Sequence, residues 1–226
     1  MCNDTKVVEE VAKTAGKAID LAQSFGSFIS KFISGSVEQG MGIFEDKLKY
    51  MRWERQVRLM QKANEFMKEI GLDEPNKPIK LKFAIPLLQG ATVEDNDYLQ
   101  DLWAKLLVNS SNKNSNVELT RIYIDILERL TPYEAKILEK IYSIPFEYMQ
   151  HKGVVTQYLP DSIQIAGENN DSNQINNDQL ELALVDLARL GCIVPMHTLG
   201  GGEFFGVVNP TLLGKHFVLA CTLKNN

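Results

Sequence analysis

The apolar residues that begin the chain fall at alternating intervals of three and four: Val8, Val11, Ala15, Ala18, Ala22, Phe25, Ile29 and Phe32. Such spacing keeps one seam on one side of a helix, so the segment must pack against a partner as a bundle or coiled-coil element. From Leu21 to Ile33 the seam widens through Leu21, Phe28 and Ile33, and Lys31 is the only charge. Two placements satisfy this face. It is buried between other helices, or Phe25, Phe28, Ile29, Phe32 and Ile33 meet a second protomer or a membrane surface.

Gly35, Gly40 and Gly42 then weaken the pattern, because a glycine inside a helix costs about 1 kcal/mol relative to alanine. A second helix is expected to run to about Ile70 with two seams, Val37, Met41, Phe44, Leu48 and Met51 on one and Tyr50, Trp53, Val57, Met60 and Met67 on the other. Its basic residues, among them Arg55 and Arg58, alternate with Glu45, Asp46, Glu54, Glu65 and Glu69, the pattern of a solvated face. Gly71 suits a C-cap, and Asp73 to Pro78 reads as a loop or linker.

Residues 79 to 91 are apolar around Pro86 and too mixed to assign. Thr92 with Asp95 resembles a capping box, and Tyr98, Leu99, Leu102, Trp103, Leu106 and Leu107 form the stripe of the helix that follows. After a polar loop from Asn109 to Asn116, the spacing of Leu119, Ile122, Tyr123, Ile126, Leu127 and Leu130 predicts another helix. Thr131-Pro132-Tyr133-Glu134 is the sharpest local signal: Thr as N-cap, Pro at the first helical position, Glu three after the cap. A domain boundary is placed beside it.

Beyond that helix, residues 167 to 178 are asparagine-rich and read as a mobile surface loop. Leu180, Leu182, Leu184, Leu187 and Leu190 then form a helix closed by Gly191. Cys192-Ile193-Val194 and Phe204 to Val208, separated by Gly200-Gly201-Gly202, predict a β-hairpin, and Pro210 to Leu223 a last helix. The expected fold is mainly α, an N-terminal helical bundle or coiled-coil part followed by a winged-helix-like α+β module with one hairpin. The segments are residues 1–72, 79–130 and 131–226.

The formal charge of −5 is uneven: residues 1 to 80 sum to +1 and the remainder to −6. Nucleic-acid binding by the C-terminal module is therefore disfavoured, the more so because NNDQLELALVDLARLG, its would-be reading helix, carries Asp178, Glu181 and Asp186 against Arg189. The three cysteines suit a reducing cytosol. The first residues lack a secretory pattern, and no charge-free stretch reaches the ~18 residues of a membrane span.

Catalytic constellations are scarce. His151, His197 and His216 flank no nucleophile motif, and Gly200 to Gly202 lacks the Lys-Ser/Thr of a phosphate loop. Cys192 with His197 and His216 with Cys221 supply zinc-type ligands at spacing atypical of zinc modules, and both cysteines sit among apolar neighbours. The expectation is no enzyme, no metal, no cofactor and no small-molecule substrate.

The run Ile85-Pro86-Leu87-Leu88, then Leu99-Gln100-Asp101-Leu102-Trp103-Ala104-Lys105-Leu106-Leu107, resembles the abortive-infection alpha family of bacterial proteins. So do the stretches from Leu127 to Leu138, from Leu187 to Gly191 and from Pro210 to Cys221, which extends the resemblance over roughly residues 45 to 221. It implies a role in bacterial defence against phage and carries over no catalytic residue. The signature residues Leu99, Leu102, Trp103, Leu106, Pro132, Glu134, Gly191, Gly214 and Cys221 are of types that build cores and caps. Together these readings predict a non-enzymatic, cytoplasmic anti-phage protein, peripheral to the inner membrane if its N-terminal face meets lipid. It would act through protein contacts, self-association or a membrane surface. The alternative is a winged-helix regulator that binds DNA.

Overall fold

The side chains of Asn96, Thr131, Asn177 and Thr211 cap helix N-termini in the computed structural model of the protein, which describes residues 23–33, 53–167 and 177–223. The seam residues from Val8 to Ala22, those from Val37 to Met51, and most of the asparagine-rich loop lie outside the described residues. The chain divides into two units, residues 1–124 with 223–226, and residues 125–222. The division falls between Ile124 and Asp125.

In the first unit residues 23–30 are helical. They are followed by α1 (Trp53–Glu69), α2 (Leu81–Val93) and α3 (Asp97–Ser110). Helices α1, α2 and α3 pack on one another. The buried stripe of α1 is Gln56, Leu59, Ala63 and Met67; of the expected Trp53 seam Met67 joins it, Val57 and Met60 are half-buried, and Trp53 is 61% exposed. Only one side of α1 is reached by α2 and α3, and Trp53 stands at the first position of the helix. The stretch around Pro86 is helical after all. Its proline falls in the second turn of α2, and the buried Ala84, Leu87, Leu88 and Ala91 hold that helix in place.

Thr92 does not cap α3. Its Oγ1 donates to Leu88 O at 2.7 Å inside α2, and Asn96 is the cap, accepting from the Tyr98 and Leu99 amides at 3.1 and 3.2 Å. A single buried side chain then ties the three helices together: Gln100 Nε2 donates to Arg55 O at 3.1 Å and to Ala91 O at 2.9 Å. Trp103, fully buried, packs its indole against Gly90, where a Cβ would come within 2.5 Å of the ring.

Helix α4 (Arg121–Leu127) spans the division between the units. In the second unit α5 (Pro132–Ile141) begins with the expected capping box: Glu134 N donates to Thr131 Oγ1 at 3.3 Å, and Thr131 N to Glu134 Oε2 at 2.7 Å. After α6 (Phe146–Met149) come β1 (Val154–Val155) and β2 (Gln164–Ile165), then α7 (Asp178–Arg189), β3 (Ile193–His197), β4 (Glu203–Pro210) and α8 (Leu212–Ala220). The expected hairpin is β3–β4, with Ile193 opposite Pro210 and an irregularity between Pro195 and Met196. It belongs to a larger antiparallel sheet of order β2-β1-β4-β3, in which Val154 pairs with both Ile165 and Val208. Strands of two residues are too short to show the alternation by which a strand is read from sequence. A helix followed by a hairpin against a small sheet makes the module winged-helix-like.

Candidate functional site

Helix α7 carries the most unusual surface of the second unit. Asn177 caps it, accepting from the Gln179 and Leu180 amides at 3.1 and 3.2 Å, and Asp178 and Glu181 in the first turn face the positive end of the helix dipole. Leu180, Ala183, Leu184 and Leu187 are buried, on the side from which α7 packs against α5 and β3. The helical period of 3.6 then sends Leu182 and Val185 outward, 66% and 40% exposed. Arg189, the helix's one cation, is paired with Asp186 at 3.2 Å. The outer face is thus two apolar side chains one turn apart, flanked by Asp178 and Glu181. Reading Leu182 as part of the buried stripe, as simple leucine spacing suggests, misses this. The signal lies in the phase of Leu180, Ala183, Leu184 and Leu187, which leaves residues 182 and 185 opposite.

The segments that follow α7 are tied together by Tyr142. Its hydroxyl donates to Cys192 O at 2.6 Å and accepts from the Thr211 amide at 2.9 Å, joining the end of α5 to the start of β3 and of α8. Burial pushes the phenol up to about 12. Gly214 is required beside it, since a Cβ there would collide with the Tyr142 hydroxyl and the Cys192 carbonyl. Gly191, at φ +75°, makes the turn from α7 into β3 in the left-handed region that favours glycine.

Exposed apolar residues continue in the hairpin, where Val194 and Met196 are 45% and 41% exposed and Leu199 stands free at the tip. The zinc-type residues do not form a site: Cys192 and Cys221 are buried, His197 and His216 are exposed, and no metal-binding group of three or more such residues exists among the described residues. Burial pushes the Cys192 thiol up to about 12, as suits a core cysteine and not a nucleophile. An open cleft of about 380 Å³ is lined by Lys136, Glu139, Lys140, Ser143, Pro160 and Asp161, with charges of both signs.

In the first unit the structure puts Phe25, Phe28, Ile29 and Phe32 under cover at 0%, 8%, 2% and 1% exposure, with Ile33 half-buried. Phe28 packs on Phe25 and Phe32 at centroid distances of 6.4 and 4.9 Å. The segment is fastened by the Ile79 amide donating to Phe32 O at 2.7 Å and by Lys31 to Glu74 at 3.1 Å. In this arrangement the phenylalanine face is core, not a free surface.

Arg55 and Arg58 are likewise not simply solvated. Arg55 reaches Asp97 at 2.6 Å and the Asp95 carbonyl, and Arg58 reaches Asp97 at 3.0 Å and Asp101 at 2.7 Å. The hydrogen bond from Arg55, then the charge of Arg58, holds the Asp97 carboxyl below the usual carboxylate range.

The signature residues sit where their types suggest. Leu99, Leu102, Trp103 and Leu106 are buried in the core of the first unit. Pro132 and Glu134 open α5, Gly191 and Gly214 serve close turns and packing, and Cys221 is buried at the end of α8. A family model described as Abortive infection alpha matches residues 54–221. The chain belongs to that family. Membership associates the protein with abortive infection, the form of phage defence that its family description names. No curated protein and no solved structure matches the chain. No helix among the described residues is long and apolar enough to cross a membrane.

Proposed function

We propose that this abortive-infection alpha protein is a non-enzymatic defence factor that works in the cytoplasm through contact with another protein. The observation that carries the reading is the outer face of α7. A helix placed for contact presents Leu182, Val185 and carboxylates, and it has no free cation to offer phosphate. Phage plating and survival of infected cultures test it, on cells with and without the chain. Fewer plaques together with death of the infected cells supports the reading; equal plating across a phage panel refutes it.

The winged-helix-like outline favours a second reading, a DNA-binding regulator. It requires a retarded band in a gel shift whose affinity falls steeply with salt, as counterion release dictates. Membrane contact through Phe25, Phe28, Ile29, Phe32 and Ile33 would require residues 23–33 to leave their place in the first unit. Flotation of the chain with liposomes tests that step.

A further inference from the structure

We infer that the outer face of α7 is a docking surface for a positively charged amphipathic helix of a partner protein. The inference rests on the contact-based reading above and names the chemistry of the contact. Leu182 and Val185 are three residues apart on one helix, so their side chains stand on the same face. Leu182 is mostly in water and Val185 partly so, while the opposite face of α7 is locked in the core, so the surface is rigid and has apolar area left to bury.

Charge selects the occupant. Asp178 and Glu181 border the apolar pair and form no ion pair among the described residues, whereas Arg189 is taken by Asp186. Residues 125–222 hold 12 Asp and Glu against 6 Lys and Arg, so the surrounding field has the same sign. A partner must therefore bring apolar side chains ringed by Lys or Arg. Anionic headgroups and nucleic acid are repelled by the same field. An isologous pairing of two copies through α7 would bring together two helices that each carry Asp178, Glu181 and Asp186 against a single cation, Arg189. Twelve residues of helix are about 18 Å long, a ridge matched in length and curvature by three turns of another helix.

The test uses the full chain and a fluorescent synthetic helix with leucines at helical spacing on one face and lysines on its flanks, beside a counterpart with glutamate for lysine. The wild type is expected to bind the lysine helix with a dissociation constant in the micromolar range, as suits a small interface, and to ignore the glutamate one. Leu182→Ser with Val185→Ser should weaken binding at least tenfold with an unchanged circular dichroism spectrum. Asp178→Asn with Glu181→Gln should weaken it and flatten its salt dependence, an independent readout that leaves the apolar pair in place. Equal binding by the serine variant, equal binding of the glutamate helix, or no binding by the wild type overturns the proposal. Self-association of the wild type that the serine variant abolishes also overturns it, in favour of a second copy. In infected cells the two readings separate. A protective wild type with an equally protective serine variant removes α7 as the surface and leaves the defence role standing, whereas a wild type without protection removes the defence role itself.

Discussion

Replacing Tyr142 by Phe removes one oxygen and leaves the ring, which isolates the hydroxyl that joins three elements of the second unit. In the wild type that oxygen accepts from the Thr211 amide at 2.9 Å and donates to Cys192 O at 2.6 Å. The Cys192 carbonyl keeps a partner in the variant, because Thr211 Oγ1 also reaches it at 3.0 Å. The Thr211 amide does not, and an orphaned donor away from water costs roughly 1–3 kcal/mol. Loss of a short hydroxyl bond in the same place keeps the total near the middle of that range, about 2 kcal/mol. With a urea slope of about 2 kcal/mol per molar, the unfolding midpoint of the second unit should fall by about 1 M. The assay is urea titration followed by circular dichroism at neutral pH, where a phenol pushed up to about 12 is fully protonated and able to donate. A midpoint within about 0.2 M of wild type would refute the account, since a hydroxyl that costs nothing to remove holds nothing together.

The double substitution Phe25→Asp and Phe32→Asp places two carboxylates where the wild type is 0% and 1% exposed, at a cost of several kcal/mol each, and should unfold the first unit. A variant that keeps the wild-type thermal transition but loses phage protection would instead make this face a working surface. Stability should also decline in alkali. Burial raises Tyr142 from 10.0 and Cys192 from 9.0, both to about 12, so the unfolded chain gives up these protons first. The associated stability is complete below pH about 9 and is lost as pH rises towards about 12. Urea midpoints that stay level across that window would contradict the burial of both groups.

Much of the architecture is local and therefore legible in the chain itself. The Thr131 to Glu134 box starts a helix because all of its partners lie within four residues, and both of its hydrogen bonds are present. Gly71 and Gly191 end helices because their positive φ is a property of the residue, at +68° and +75°. The apolar phase of Leu99, Leu102, Trp103 and Leu106 likewise marks residues of α3 that are core, while the burial of Gln100, Ala104 and Asn109 beside them is not written in that phase. The family signature is made of such residues, which is why it could be read without any knowledge of a site.

What stayed hidden depends on partners far along the chain. Trp53 and Leu182 look like core residues by spacing, yet both are exposed, because burial is decided by which face a neighbouring element reaches. Thr92 looked like a cap until Asn96 took that role and α2 ran through Pro86 to Val93. Arg55 and Arg58 read as a solvated basic face, and only the arrival of α3 supplies Asp97 and Asp101 some forty residues later. β1 exists because β4 offers it a paired edge, and β2 because β1 does in turn, since two residues cannot hold a strand unaided. The sequence alone determined those helix ends whose signals close within a turn, at Gly71, Thr131 and Gly191. Only the tertiary structure decided that Phe25, Phe28, Ile29 and Phe32 face inward and that α7 turns Leu182, Val185 and two carboxylates to the solvent, because exposure is a property of the packed assembly and not of any segment within it.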